Sequence, residues 1–236
     1  MTNISTKYRS TEEEIMDDFD LQGNDLKFVL NDIDNVNLRL GGHSITINGI
    51  KKLIKNSDKK VISIADIGCG SGATLRQISK WCAKNKIAVK LYGIDANAHI
   101  IEQAKTLSTD YNNIEYIQEN IFSDDFKAKH YDIITCCLTL HHFKDEDILD
   151  IMPLLYDQSK IGVVVNDLQR SKLAYLLFKL YSGVFMKSDI AKNDGAVSIL
   201  RSFKKEDLLN YSNRIKVNNF ELKWCWAFRY LWILKK

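Results

Sequence analysis

The stretch VISIADIGCGSGATLRQI, residues 61–78, sets the tightest limit on what this chain can fold into. A run of β-formers ends in Asp66, glycines follow at 68, 70 and 72, and an amphipathic helical pattern begins at Ala73. A strand that turns into a helix through glycines reads as the first half of a β-α-β unit. In open sheets built from such units, ligands bind where strands end and helices begin. Without Cβ atoms, Gly68, Gly70 and Gly72 can turn sharply and let a ligand touch the main chain. The first N–H groups of the following helix have no partner inside it and add donors at the same place.

The pattern repeats downstream. Strands are expected at 61–66, 88–94, 114–118, 131–137 and 160–166, and helices at 73–84, 97–108, 145–157 and 168–183. Alternation of this kind predicts an α/β, Rossmann-like sheet with helices on both faces. A short helix is expected at KKEDLLN, then two runs, 213–219 and 221–230, as an antiparallel pair at the edge. That makes seven strands, mostly parallel, with an antiparallel C-terminal edge strand. Tyr230 to Leu234 close the chain with an apolar load that should be packed.

Residues 11–58 read as helical. Thr11 with Glu14 suggests a capping box, and apolar residues at 26, 29, 30, 33 and 36 have helical spacing before Gly41-Gly42 interrupts. Residues 1–58 are therefore expected as an N-terminal helical lid on a core of 59–236. Residues 168–203 are expected as a substrate-cap insertion, all within one structural domain. A length of 236 residues and a single proline, Pro153, favour one elaborated domain over two.

Two cofactor classes use such a glycine loop. GCGSGA fits the permissive dinucleotide form, with Ala73 last. S-adenosylmethionine, which has a nucleoside but no phosphate, fits better. Gly72 is not asked for by the dinucleotide fingerprint, and a carboxylate at Asp66 suits a ligand bearing an ammonium group and would repel a pyrophosphate. No G-K-[ST] follows, so this is not a P-loop. Asp95, ending the second strand in KLYGIDANA, can accept from both ribose hydroxyls in either class, or simply cap the next helix. Asn120, after the third strand, can meet an adenine amino group, or serve as a turn residue.

The order ADIGCGSG, YGIDA, QENIF and YDIITCCLTLHHF resembles the class I S-adenosylmethionine-dependent methyltransferases, in their small-molecule, type 11/25-like branch. The resemblance covers about 61–166. It implies that Asp66, Gly68, Gly70 and Gly72 hold the methionine end of the cofactor, that Asp95 holds the ribose, and that Ala96 is a further cofactor-binding residue. Asn120 and Ile121 would face the adenine, and the main chain at Cys137 and Leu138 would approach the methionine. The family more often has aspartate where Asn120 stands. The flanks EEEIMDDFDL…NVNLRLGG and NDLQRSKLAYLLFKLYSGVFMKSDIAKNDGAVSILRSF resemble a bacterial subgroup linked to phenolic or polyketide-type small molecules. The expected reaction is methyl transfer to a small-molecule acceptor, at the hydroxyl of a phenolic or polyketide-like compound. N- or C-methylation of another metabolite and an NAD-dependent oxidoreductase are the alternatives.

For a phenolic acceptor a base is useful. His141 and His142 follow the fourth strand, and Asp167 follows the fifth in VVVNDL. His141 is expected as base, His142 as its neighbour or substitute, and Asp167 as the group that orients the imidazole. The competing reading is that either histidine merely packs or caps the helix at Lys144-Asp145. Arg39, beside the glycine pair, is a candidate for the cofactor carboxylate, and Arg201 for holding the lid. Tyr175, Phe178, Tyr181 and Phe185 are expected to line the acceptor pocket, or to serve as core or a homodimer contact. No metal is expected, because adjacent histidines do not normally ligate one ion and no third ligand has metal-like spacing.

A net charge of +3 without Lys/Arg blocks, and the absence of an Asn/Asp-Pro-Pro-Tyr/Phe motif after the fourth strand, argue against nucleic acid as partner. Five cysteines (69, 82, 136, 137, 225) at spacings that suit neither a disulfide framework nor zinc indicate a reducing compartment. No signal peptide is read at the N-terminus, and the most apolar helix, 173–185, carries Lys179 and is too short to insert in a membrane. A cytoplasmic enzyme is expected.

Overall fold

The computed structural model describes residues 4–55 and 57–236, so residues 1–3 and 56 of the expected lid segment lie outside the described residues. Two helices precede the sheet. α1 (Gly23–Arg39) turns Leu26, Val29 and Leu30 inward, with Ile33 and Val36 on the same stripe. This is the spacing read from the sequence. Gly41, in the left-handed region at φ 73°, separates it from α2 (Gly42–Ile54). At Gly49, α2 lies so close to the sheet that a Cβ would stand 2.5 Å from Cγ1 of Val164.

The core follows as β1 (Ile62–Ile67), α3 (Ala73–Lys84), β2 (Val89–Asp95), α4 (Ala98–Leu107), β3 (Ile114–Gln118), α5 (Asp124–Lys127) and β4 (Tyr131–Cys137). Then come α6 (Asp145–Gln158), β5 (Ser159–Leu168), α7 (Lys172–Phe185), α8 (Asp189–Arg201), α9 (Lys205–Arg214), β6 (Phe220–Cys225) and β7 (Arg229–Lys235). The strands form a seven-stranded sheet in the order β3-β2-β1-β4-β5-β7-β6. The first five are parallel, β7 runs antiparallel to β5, and β6 pairs antiparallel with β7 at the edge. This is the Rossmann-like architecture expected.

Adjacent residues of the central strands serve opposite faces, the period of two that a strand imposes. Ile134, Val163 and Trp232 join α6 and α9 on one side, while Ile133, Val164 and Ile233 join α2, α3 and α4 on the other. β4 is buried along its whole length, as expected for a parallel strand covered on both faces.

Three sequence expectations need correction. Residues 213–219 do not form a strand: α9 runs to Arg214, held by buried Leu208 and Tyr211, and Lys216 then turns the chain at φ 58°. The run 221–230 is two strands, not one. It breaks at 226–228, where Phe228 takes φ 54°. That turn contains neither glycine nor proline, and its own residues are apolar, so the sequence shows no break. The Thr11–Glu14 capping box does not form. The first helical turn is a short 3₁₀ segment, Ile15–Asp17, and the Glu14 side chain is buried.

Two aspartates tie the helices outside the sheet together. Asp32 of α1 accepts the N–H groups of Lys187 and Ser188 at the start of α8, both at 2.8 Å. Asp194 of α8 accepts those of Ile15 and Met16, both at 2.9 Å. α7 packs on α8 and leaves Leu173, Leu176, Leu180 and Val184 exposed along one stripe. Among the described residues no helix is long and apolar enough to cross a membrane.

The C-terminal apolar run is the keystone expected of it. Trp232 is fully buried in β7, between β5 and β6. Replacing Trp232 with alanine should lower stability by about 3–5 kcal/mol, read from the midpoint of urea unfolding. A change within ~0.5 kcal/mol, as at a surface site, would show that β7 is not part of the core.

Candidate active site

A cavity of about 780 Å³ lies at the carboxyl ends of β1 to β4, between the sheet and the helices α1, α7 and α8. Two polar poles face it.

The first pole is the glycine loop. Asp66, the penultimate residue of β1, is 2% exposed, and in register with it on β4 stands Thr135, whose Oγ1 donates to its Oδ1 at 2.5 Å. Burial, with Asp95 adding to it, pushes the Asp66 pKa up to about 7, against the pull of Thr135. Among the described residues Asp66 has no ion-pair partner. Asp95 ends β2; its oxygens accept the N–H groups of Gly70 at 3.2 Å and Asn97 at 3.1 Å, and burial raises its pKa too. The helix that follows is capped by Asn97, whose Oδ1 accepts from His99 and Ile100.

Gly68, Gly70 and Gly72 all lie in the left-handed region, at φ 62°, 54° and 77°, yet they answer different needs. A Cβ at Gly68 would strike Thr139, and one at Gly72 would stand 1.9 Å from Oη of Tyr116. These two glycines are required by packing against protein. At Gly70 no atom lies within 4 Å of where a Cβ would stand, and Gly70 lines the cavity. Gly72 does not line it. Ser71 pins the loop to α1 by donating to the carboxylate of Asp34, at 2.6 and 2.8 Å.

Ala96, Asn120, Ile121, Cys137 and Leu138 all line the cavity. The Oδ1 of Asn120 accepts from the N–H of Phe122 at 3.0 Å, a turn bond made while the residue also lines the cavity. Leu138 is left-handed at φ 54°, its N–H donating to the carbonyl of Asn166 on β5.

Arg39 does not reach the cavity. It is exposed on α1, its guanidinium 5.6 Å from the ring of Phe185, because its helical phase turns it away from the stripe that holds Val36. Arg229, not singled out from the sequence, lines the cavity instead. It is 1% exposed, and its Nε and Nη1 have no hydrogen-bond partner; nor has Oδ1 of buried Asn37, which also lines the wall. A buried cation with free N–H groups is costly unless something anionic meets it. In the sequence Arg229 is one arginine in an aromatic run, and only strand register reveals where it goes.

The second pole is the histidine pair. Leu140–His142 form a 3₁₀ turn after β4, and the two imidazoles stack with centroids 4.3 Å apart. Nδ1 of His141 bonds Oδ1 of Asp167 at 2.7 Å, and the His141 N–H donates to Oδ2 at 3.2 Å. Asp167 is buried behind the histidine and does not line the cavity. Nδ1 of His142 bonds Oδ1 of Asp17 at 2.7 Å. Both Nε2 atoms turn toward Glu14, at 3.5 Å for His141 and 3.9 Å for His142. Burial favours a neutral His141, but Asp167 and Glu14 outweigh it and push its pKa up to about 9. Burial likewise opposes ionisation of Glu14, and the two histidines with Ser198 offset it, so the carboxyl stays below its ordinary range. Asp167 and Glu14 thus favour the charged form of His141. Arg201 is buried and joins α8 to both turns, from Nη1 to Asp17 at 2.7 Å and from Nη2 to the carbonyl of His142 at 2.6 Å.

Glu14 and Asp17 carry no local sequence signal. They sit in the run EEEIMDD, which looks like a solvated charged segment, and meet the histidines only through the fold. Of the aromatic candidates on α7, Phe178 and Tyr181 line the cavity, and Tyr175 and Phe185 do not.

Residues 64–162 match the sequence family described as a methyltransferase domain. That segment is a methyltransferase domain. The match begins in β1 and ends in β5, so it takes in the glycine loop, Asp95, Asn120 and the histidine pair. Solved methyltransferases share the fold at low identity. The plantazolicin methyltransferase BpumL in complex with SAH is 18% identical, with a TM-score of 0.62 over 86% of this chain and 88% of that one. Human N-acetylserotonin methyltransferase in complex with SAM is 16% identical, with a TM-score of 0.64 over 96% of this chain and 60% of that one. Magnesium protoporphyrin IX methyltransferase from Synechocystis PCC 6803 with bound SAM is 14% identical, with a TM-score of 0.55 over 92% and 86%. No curated protein matches the chain.

S-adenosylmethionine is the cofactor of this methyltransferase class, and the first pole fits it. Asp66 and Asp95 are buried carboxylates raised by burial, suited to an ammonium group and to ribose hydroxyls. Gly70 leaves its backbone open, and Arg229 offers unpaired donors.

The raised pKa of Asp66 gives a testable pH dependence for the ligand-free methyltransferase. A carboxyl whose folded pKa lies above its unfolded value stabilises the fold at low pH, and that contribution is lost as pH rises from 3.8 to about 7. Asp66→Asn should therefore flatten the stability profile in that window. Above it the variant should exceed the wild type by up to ~4 kcal/mol, taking 1.36 kcal/mol per unit. Parallel profiles for the two proteins, from urea unfolding across the pH range, would show that Asp66 titrates normally.

Proposed function

We propose that this chain transfers a methyl group from S-adenosylmethionine to an oxygen of a small acceptor, a phenolic or polyketide-like hydroxyl. The observation that carries this is the pairing of two unlike poles in one cavity. The glycine loop and its carboxylates form one, the Glu14–His141–His142 cluster the other, with apolar wall between. Leu30, Ile33, Val36, Leu177, Phe178 and Met186 contribute that wall. It suits an acceptor that is largely apolar and carries a polar group at one end. The neighbours' names, plantazolicin, N-acetylserotonin and magnesium protoporphyrin IX methyltransferase, point the same way, to acceptors other than nucleic acid.

The cofactor supplies a methyl on a sulfonium, already a good leaving group. What remains for the protein is to bind, to orient and to exclude water, and alignment can contribute up to ~7–11 kcal/mol. Asp66, the open backbone at Gly70 and the donors of Arg229 would hold the amino-acid end, and Asp95 the ribose. Asn120 and Ile121 would border the base. The helices α1, α7 and α8 would act as the lid and cap that keep water out. At the far pole, His141, held charged by Asp167 and Glu14, positions the cluster. His142 and Glu14 are the groups that face the acceptor and can take up its hydroxyl proton. A phenol, with a pKa near ~10, profits from that help at neutral pH.

Two measurements test this. S-adenosylhomocysteine should bind in calorimetric titration while NAD does not, and Gly70→Val should weaken that binding at least tenfold. Equal affinity in the variant would remove the loop from the cofactor site. With an acceptor identified by a screen of phenols, Glu14→Gln and His142→Ala should each lower kcat by roughly 10²–10⁴-fold and leave S-adenosylhomocysteine affinity unchanged. Undiminished turnover would leave alignment as the whole of the mechanism.

A further inference from the structure

The second pole has the construction of a metal centre. Each imidazole commits Nδ1 to a carboxylate, His141 to Asp167 and His142 to Asp17, both at 2.7 Å. Such a bond fixes ring orientation and tautomer and leaves Nε2 as the free donor, the arrangement usual behind metal-bound histidines. Both free nitrogens address one carboxylate, Glu14, at 3.5 and 3.9 Å, and the three donor atoms all lie within 4.8 Å of one another. Ligands about 2.1 Å from a tetrahedral ion stand about 3.4 Å apart, so small side-chain shifts suffice to close around one.

Two further observations favour an ion over a plain hydrogen-bonded cluster. Oε1 of Glu14 is buried and has no hydrogen-bond partner; its nearest cationic atoms, Nε2 of His141 at 3.5 Å and Nη1 of Arg201 at 3.8 Å, stand too far to bond it. A buried carboxylate oxygen left this way is costly, and a cation removes the cost. The charge balance points the same way. Glu14, Asp17 and Asp167 are three carboxylates, and among the described residues the one Lys or Arg within 4 Å of any of them is Arg201. A bound ion takes the place of the proton on His141; with both imidazoles then neutral, the cluster holds three negative charges against one positive, and a divalent ion brings it close to neutrality. Adjacent histidines do not normally ligate one ion, but here the 3₁₀ turn stacks the two rings, and the third donor comes from a distant segment held by Asp194.

We infer that Glu14, His141 and His142 form a binding site for a divalent transition-metal ion, which opens onto the acceptor end of the cavity. Two imidazoles and one carboxylate suit zinc, iron(II) or cobalt(II) and are a poor set for magnesium or calcium. All three side chains line the cavity, so the remaining coordination positions face it. An acceptor hydroxyl or carboxylate oxygen is the ligand that fits them. That last step rests on the function proposed above; binding of the ion does not.

The test uses full-length, tag-free protein, stripped with a chelator, dialysed and titrated with cobalt(II). Binding is followed by visible absorption and calorimetry, with S-adenosylhomocysteine binding measured on every sample as the check of folding. One ion per chain is expected, with affinity lowered roughly a hundredfold or more in His142→Ala and Glu14→Gln, and about 10–100-fold in Asp17→Asn. Should a ligand variant also lose S-adenosylhomocysteine, Asp17→Asn, which keeps all three ligands, carries the test. Absence of cobalt binding in the wild type, or equal binding in the variants that still bind S-adenosylhomocysteine, would overturn the site. Stoichiometric binding with turnover on a phenolic acceptor indifferent to the ion would keep the site and sever it from the acceptor.

Discussion

Parallel register is the constraint on which the rest depends. Pairing Asp66 of β1 with Thr135 of β4, and Cys137 of β4 with Asn166 of β5, brings the carboxyl ends of the central strands to one level. Every group of consequence leaves the sheet at that level: the glycine loop after β1, Asp95 at the end of β2, Leu138 and the histidines after β4, and Asp167 near the end of β5. A shift of one residue in any of these strands would turn its side chains to the opposite face. Asp66 would lose Thr135, and His141 would lose Asp167. The site is therefore a property of the ladder before it is a property of the loops.

The two poles show opposite electrostatic logic. At the glycine loop, carboxylates are buried without cations, and their pKa values rise. At the histidine pair, carboxylates are buried against imidazoles and an arginine, and Glu14, Asp17 and Asp167 are held low. Burial opposes ionisation in both places, so the partners decide the outcome. The first pole is left with carboxyls and a buried arginine, Arg229, that the protein does not pair with each other. The second is nearly paired, apart from one oxygen of Glu14.

The parts of this arrangement that local pattern encodes were readable in advance. The first five strands, the helices between them and the sheet type follow from period-two and period-3.6 runs punctuated by glycine. Asp66, Asp95 and the histidines were found because strand ends are where such folds keep their chemistry. Other features were hidden because they depend on sequence-distant meetings. Glu14 reaches His141 across 127 positions, and nothing in EEEIMDD marks one carboxylate as buried. Arg229 enters the cavity because β7 inserts beside β5, and the break before it at 226–228 uses no turn residue. Asn120 and Arg39 fit a motif or a neighbourhood in one dimension, while the first is engaged in its own turn and the second points outward. Gly72 belonged to the motif and is there for Tyr116.

The paired aspartates across the helical cover carry a consequence for traffic. Asp32 holds the start of α8 from α1, and Asp194 holds the Ile15–Asp17 turn from α8. The bonds run in both directions, so neither partner can swing out alone without stranding a buried carboxylate. The roof over the cavity behaves as one plate riveted at two points. Phe19 and Trp226, which line the cavity, are exposed at its rim and belong to neither rivet.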